Sequence, residues 1–349
     1  MALTIGIDVG GTKIAGGVVD ESGQILATAR RESPATDTDA IEQAVEDLVV
    51  ELRSNHEIAA VGVGAAGFVD VRRATVLFAP NLAWRDEPLK RDLESRIGLP
   101  VVIENDANAA AWGEFTFGAG EDVDDFLLVT VGTGVGGGVV LNGQLHRGAF
   151  GVAGEIGHLR VVPGGLICGC GNRGCWEQYA SGNALVREAR ALARTNSPTA
   201  YRLLEMVGGD PDQITGPEVT AAAIAGEPNS VELLADVGAW LGRGIANLAA
   251  ALDPEVVVIG GGVSAAGDLL LVPAQQAFSR TLTGRGFREE ARLVLAYFGN
   301  DAGLIGAADL ARHAMVEPPD SAHFGFWPRR RKGRRKSRLS GDGLWPTRP

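Results

Sequence analysis

The chain contains one β-unit written twice, and this duplication limits the folds open to it. Residues 3–9 (Leu-Thr-Ile-Gly-Ile-Asp-Val) read as a buried strand, Gly10-Gly11-Thr12-Lys13 as a turn, and Ile14 to Val19 as a returning strand. Residues 127–145 repeat the scheme with Leu-Leu-Val-Thr-Val, then Gly132-Thr133-Gly134, then a glycine-rich return. The second halves align too: Gly17-Val-Val-Asp-Glu-Ser-Gly-Gln-Ile matches Gly138-Val-Val-Leu-Asn-Gly-Gln-Leu after a one-residue gap. Two copies of one unit imply two related lobes. The length of 349 residues agrees, at about 150 residues per domain.

Each copy is followed by alternating helical and strand patterns. Asp39 to Leu52 carries apolar residues at 41, 45, 48, 49 and 52, a helical stripe, with Asp39 and Glu42 spaced for a capping-box-like start. Ile58 to Gly64 reads as a strand ending in Gly64-Ala-Ala-Gly67, and Pro100 to Glu104 as a strand running into Asn105-Asp106. The alanine-rich stretch from Ala107 to Phe115 then favours a helix. In the second half, Gly182 to about Thr195 and Ser230 to Leu252 read as helical, Glu255 to Ile259 as a strand entering Gly260-Gly261-Gly262, and Arg292 to Phe298 as a last strand before a helix from about Ala302 to Met315. Open α/β sheets bind ligands at the C-terminal ends of their strands, where these glycines and polar residues fall.

All three cysteines lie within eight residues, in Cys168-Gly-Cys170-Gly-Asn-Arg-Gly-Cys175, separated from His158 by nine residues. Three thiolates and one imidazole make the four-ligand set of a closed structural Zn²⁺ site. Cys-x-Cys is not the Cys-x-x-Cys of thioredoxin-like redox pairs. We therefore expect His158, Cys168, Cys170 and Cys175 to hold zinc, and the metal to fix the flanking acids Glu155 and Glu177.

The Gly/Thr turns have the composition of phosphate clamps, since glycines let backbone N–H groups approach an anion and hydroxyls add donors. Such a turn is also ordinary tight-hairpin chemistry; two copies and a third glycine cluster favour the phosphate reading. Lys13 adds a mobile positive charge. Asp8 suits a hydrated Mg²⁺, which is usually held by one or two carboxylates and the nucleotide phosphates. Asp106, at a strand end beside an amide, is the candidate general base; its alternative role is the N-cap of the following helix. Asn81, Asn105, Glu155, His158 and Glu177 supply amides, acids and an imidazole able to make paired hydrogen bonds to a polyhydroxylated ligand.

Charge separates the chain into two parts. From Glu317 onward, nine Lys and Arg outnumber three acidic residues, so the net −11 of the whole conceals an acidic −17 in residues 1–316. An acidic body argues against nucleic acid as the main partner. The tail after Pro318-Pro319 has no periodicity and reads as disordered, and its eight Lys/Arg between Arg329 and Arg338 suit a polyanion or an anionic surface. The longest apolar run, Phe126 to Leu145, is broken by six glycines and is too interrupted to span a membrane. With a strand beginning at Leu3 and no basic leader, the expected compartment is the cytoplasm.

Together these motifs resemble the ROK sugar kinases, and within them the ATP-dependent glucokinases that contain zinc. The resemblance runs from about residue 3 to residue 313 and rests on Asp8-Val-Gly-Gly-Thr-Lys13, Glu104-Asn-Asp106, Gly132-Thr-Gly134, the Gly-Glu-Ile-Gly-His158 stretch, the cysteine knuckle through Trp176-Glu177, and Gly260-Gly-Gly262. It implies a two-lobed, actin-like and hexokinase-like fold, a duplicated ribonuclease H-like unit. Its small α/β lobe would comprise residues 1–117 and about 301–316, its large lobe 118–300 with the knuckle at 158–175, and 317–349 would be a tail outside the family pattern. It further implies glucose and ATP with Mg²⁺ as substrates and cofactor, and a structural Zn²⁺. Asp106 would take the proton of the sugar 6-hydroxyl, and Gly67, Asn81, Asn105, Glu155, His158 and Glu177 would surround the sugar. ATP would lie along Asp8, Gly10, Gly11, Thr12, Lys13, Gly132, Thr133, Gly134, Gly260, Gly261 and Gly262, and the assembly would be a homodimer or homotetramer. One departure is Ala66, where many members carry proline. Other hexoses, N-acetylhexosamines and a polyphosphate donor stand as alternatives, as do a sugar-sensing repressor and a zinc-stabilised binding module. Repressors of this kind carry their DNA-binding segment ahead of the first hairpin, where only two residues precede Leu3, and a binding module leaves Asp8 and Asp106 unexplained.

Overall fold

A computed structural model describes residues 2–195 and 200–315. The basic tail, including 329–338, lies outside the described residues.

The first half runs β1 (Leu3–Val9), β2 (Lys13–Val19), β3 (Ile25–Glu32), α1 (Thr38–Arg53), β4 (Ile58–Ala65), a small sheet of β5 (Phe68–Val69), β6 (Val76–Phe78) and β7 (Arg85–Glu87), then α2 (Leu89–Ile97), β8 (Val101–Asn105) and α3 (Asp106–Phe117). The second half runs β9 (Phe126–Val131), β10 (Val135–Leu141), β11 (Gln144–Leu145), α4 (Glu177–Ala180), α5 (Gly182–Arg194), α6 (Tyr201–Met206), α7 (Gly216–Ile224), α8 (Pro228–Leu252), β12 (Val256–Gly260), α9 (Asp268–Thr281), β13 (Arg292–Leu295) and α10 (Ala302–Ala314).

The two halves share one topology. The first sheet has the order β3-β2-β1-β4-β8 and the second β11-β10-β9-β12-β13. In each, a three-stranded antiparallel meander is followed by two strands parallel to the first. The duplication seen in the glycine hairpins therefore extends to five strands.

Five layers result. The outer face of the first sheet packs on α1 and α2, where Ile41, Val45, Leu48, Leu89 and Leu93 are fully buried. Its inner face carries α10, which comes close enough that a Cβ at Gly6 would stand 1.7 Å from the Leu304 carbonyl and one at Gly62 1.8 Å from that of Ala307. Only glycine tolerates that approach. On its other side α10 packs against α3, and α3 turns Ala111 and Phe115 toward Phe126, Leu128 and Val140 of the second sheet. The second sheet is covered on its far face by α5, α7, α8 and α9. The helix that begins at Asp106 thus lies between the two sheets.

Two caps differ from the sequence reading. Helix α1 is capped by Asp37, whose side chain accepts the Ala40 amide at 3.1 Å. Glu42 is buried instead and meets Arg96 at 3.0 Å. Helix α3 begins one residue earlier than expected, with Asn105 as its cap and Asp106 as its first residue. The extension frees the Asp106 carboxyl from capping. The edge strand β3 and the small β5–β7 sheet were not anticipated. β5, β6 and β7 have two or three residues each, too few to show an alternating pattern.

Candidate active site

Strands β1, β4 and β8 are parallel neighbours, with Asp8 opposite Gly64, Gly64 opposite Glu104, and Ala65 opposite Asn105. Their C-terminal ends therefore deliver Asp8, Gly67, Asn105 and Asp106 to one edge of the first sheet. Asn105 organises this edge: its Oδ1 accepts the Asn108 amide at 3.0 Å, and its Nδ2 donates to the Gly67 carbonyl and to Asp106 Oδ1, both at 3.1 Å. Burial pushes the Asp106 carboxyl up to about 7, and the nearby negative charges of Asp8 and Glu155 act in the same direction. Asp8 is itself raised by desolvation, against the pull of Lys13. It also faces the first turn of α10, with its Cγ 3.7 Å from where a Cβ on Gly303 would stand.

The first glycine turn closes with the Gly10 amide donating to the Lys13 carbonyl at 3.0 Å. Gly11 abuts Asn81, where a Cβ on the glycine would lie 3.2 Å from Asn81 Cβ. Asn81 is exposed, in a loop pinned by Arg85, whose Nη1 donates to the carbonyls of Ala79, Leu82 and Trp84 at 2.6, 2.9 and 2.6 Å.

The second glycine turn meets the other two clusters. Gly132 accepts the Gly182 amide at 2.8 Å, which ties the turn to the start of α5. Gly261, at φ 83°, packs so closely on the end of β9 that a Cβ would stand 2.6 Å from the Val131 carbonyl oxygen. Gly134 lies against Glu177, with a hypothetical Cβ only 2.5 Å from Glu177 Oε2. The Gly132–Gly134 and Gly260–Gly262 stretches are thus one surface, and the knuckle borders it.

The knuckle is built by backbone hydrogen bonds from Cys168 to Asn172 at 2.9 Å, Gly171 to Cys168 at 3.0 Å, and Trp176 to Leu159 at 2.8 Å. It docks through Trp176, which is fully buried and donates its indole N–H to the Trp240 carbonyl of α8 at 2.9 Å. His158 Nδ1 stands 3.6 Å from Cys168 Sγ, and Cys170 Sγ stands 3.6 Å from Cys175 Sγ. The four donor atoms lie within 4.8 Å of one another. Tetrahedral zinc with Zn–S bonds of about 2.3 Å sets its sulfurs about 3.8 Å apart, so the donor set fits Zn²⁺. Nδ1 faces the thiols, which leaves Nε2 of His158 for another partner. Glu177 Oε1 sits 2.9 Å from Cys168 Sγ and 3.6 Å from His158 Nδ1, joining the knuckle to the Gly134 turn. Glu155, exposed at the start of the 3₁₀ turn Ile156–His158, is raised by desolvation and by Glu177, against the pull of His158.

An electrostatic chain therefore runs from Asp8 through Asp106 and Glu155 to His158 and Glu177, crossing from the first sheet to the knuckle. Sequence reasoning named Glu104 only within the Glu104-Asn-Asp106 motif, without a role, and did not single out Arg147. Glu104 read as the last residue of a buried strand, and Arg147 belongs to no local motif.

The ROK family model matches residues 4–314. The chain belongs to the ROK family. Among its relatives, this ROK chain is 52% identical to a glucokinase of Streptomyces coelicolor over 312 residues, covering 89% of the chain and 98% of that protein. It is 40% identical to a glucokinase of Halalkalibacterium halodurans over 318 residues, covering 88% and 94%. Its fold matches the crystal structure of a ROK family glucokinase from Streptomyces griseus in complex with glucose and AMPPNP, with a TM-score of 0.84 and 52% identity over 89% of this chain and 100% of that one. Among the described residues, no helix of this ROK protein is long and apolar enough to cross a membrane.

Proposed function

We propose that this chain is an ATP-dependent glucokinase, transferring the γ-phosphoryl group of ATP to the 6-hydroxyl of glucose. The observation that carries the reading is Asp106: a half-buried carboxyl at a sheet edge, raised to about 7 by burial and by the negative charges of Asp8 and Glu155. A general base works best when its pKa lies near the operating pH. Similarity to glucokinases over nearly the whole described chain supplies the donor and the acceptor.

In this reading Asp106 accepts the proton of the glucose 6-hydroxyl. The freed oxygen forms a bond to the γ-phosphorus while the bond to the β-bridging oxygen breaks, and ADP leaves with that electron pair. Phosphoryl transfer asks the protein mainly for alignment and charge neutralisation. Asn105, held by Gly67 and by the start of α3, orients the base and offers the second lone pair of its Oδ1 to a sugar hydroxyl. Asn81, Glu155, Glu177 and Nε2 of His158 surround the remaining hydroxyls. Backbone N–H groups of Gly10–Thr12 and Gly132–Gly134, with Gly260–Gly262 and Lys13, cradle the phosphates. Asp8 would hold Mg²⁺, which neutralises phosphate charge when bound. His158, Cys168, Cys170 and Cys175 would hold Zn²⁺, with no position left for substrate, so its contribution is to keep the Glu155–Glu177 segment in place. A cytoplasmic setting, where ATP is available and thiols stay reduced, suits this chemistry.

The test is a coupled assay for ADP on metal-replete protein, offering glucose, mannose, N-acetylglucosamine, N-acetylmannosamine and fructose separately with Mg-ATP. Turnover of glucose well above the others is the expected result. Asp106→Asn should then lose nearly all kcat while still binding glucose. ADP formation with none of these sugars would end the ATP-dependent reading.

A further inference from the structure

Beneath the sheet edge that carries Asp106 lies a buried ion cluster with no local sequence signature. Glu104 is 1% exposed, and Arg147 is 9% exposed. Arg147 Nε stands 3.1 Å from Glu104 Oε1 and 2.9 Å from Oε2, and Arg73 Nε stands 3.1 Å from Oε2. Arg147 continues to two backbone carbonyls of the β5–β6 turn, donating from Nη1 to Val71 at 2.8 Å and from Nη2 to Asp70 at 2.9 Å. The same carboxylate accepts the Asn105 amide at 2.9 Å and the Asn108 side-chain amide at 3.2 Å through Oε1.

Arg147 also belongs to the loop that leads from β11 to Glu155 and His158. Its carbonyl accepts the Ala153 amide at 3.0 Å. Gly151 of that loop lies so close to the β5–β6 turn that a Cβ would stand 2.6 Å from the Val69 carbonyl oxygen. One guanidinium thus joins the end of β8, the β5–β6 turn and the loop carrying Glu155 and His158.

Stability does not by itself call for this arrangement. Taking two ions out of water is costly, and well-packed apolar replacements are often as stable or more so. The planar fork of arginine does fix direction at three acceptors, which a lysine ammonium does not. We infer that Arg147, acting through Glu104, is a positioning residue: it sets Asn105, and through it Asp106, in register with the loop that presents Glu155 and His158, so that base and sugar-binding groups meet the acceptor hydroxyl together.

This inference rests on the glucokinase reading, and the experiment separates the two. Wild-type protein must first phosphorylate glucose; if it does not, the reading of the reaction fails before any variant is made. Arg147→Lys keeps the charge but cannot span the carboxylate and both carbonyls. The expected result is a kcat lower by about tenfold to a hundredfold, as for a misplacement near 1 Å. The KM for glucose should rise and that for ATP should stay unchanged. The acid limb of kcat/KM should move to higher pH, because Asn105 no longer steadies the Asp106 carboxylate beside Asp8 and Glu155. If Arg147→Lys does not fold, Glu104→Gln/Arg147→Met removes both buried charges together, leaves only the partly solvent-exposed Arg73 without its partner, and should show the same kinetic pattern. A lower Tm with wild-type kcat, glucose KM and pH limb in the folded protein would reduce the cluster to a structural brace and overturn the inference.

Discussion

Asn105 donates to Asp106 Oδ1 at 3.1 Å while its own Oδ1 accepts the Asn108 amide at 3.0 Å, so one side chain both caps α3 and holds the carboxyl beside it. Stability and catalysis are therefore coupled at this residue. Asn105→Ala should lose a cap worth about 1 kcal/mol and lower kcat as well. Asn105→Asp keeps the capping acceptor but replaces the donor with a second negative charge, so its Tm should stay near wild type while the acid limb of kcat/KM moves up. Thermal melts and pH profiles of both variants check this; equal loss of stability in the two would mean that the cap does not depend on the side-chain oxygen.

The Asp106 carboxyl, raised to about 7, ties activity and stability to pH in opposite senses. As a base it must be ionised, so kcat/KM for glucose should fall by about tenfold per unit well below 7. Its folded pKa is above the unfolded value, so its stabilising contribution is complete at low pH and is lost as the pH rises through 7. Asp106→Asn should then gain Tm relative to wild type at pH 8.5, keep only part of that advantage at pH 5.5, and lose the rest as the pH falls toward the ordinary carboxylate value of 3.8. A Tm difference independent of pH would show that the carboxyl titrates elsewhere.

Gly134 leaves room for the Glu177 carboxylate, since a Cβ there would stand 2.5 Å from Oε2. Gly134→Ala should push Glu177 out of place and raise the glucose KM by about fivefold to a hundredfold, the equivalent of the roughly 1–3 kcal/mol of a displaced hydrogen-bonding group. Titration of glucose at saturating ATP measures it. Unchanged KM would detach Glu177 from the sugar.

The donor set of His158, Cys168, Cys170 and Cys175 should bind one zinc per chain, found by mass spectrometry of metal in the purified protein. Cys170 is exposed, which gives a chelator its access. Metal removal should lower Tm and glucose turnover together, because folding of the knuckle and metal binding are linked. Cys175→Ser should reproduce both effects. Protein that carries no zinc and melts identically with and without chelator would refute the site.

Much of this molecule is written in short-range patterns. The duplicated glycine hairpins identify the two sheets because a strand-turn-strand unit needs only contiguous residues, and the cysteine spacing identifies the donor set because one tight loop brings all three sulfurs together. The stripe at 41, 45, 48, 49 and 52 lies on the buried face of α1 for the same reason. Which residue caps a helix was less plain: Asp37 and Asp39, like Asn105 and Asp106, are equally good capping residues, and one or two residues of backbone phase decide between them. The tertiary structure alone decided that Gly134 makes room for Glu177, that α10 lies against Gly6 and Gly62, and that Arg147 reaches Glu104 across 43 residues of sequence. Those contacts join segments whose separation no local period records, and they exist only once two sheets and the helices between them have closed around one another.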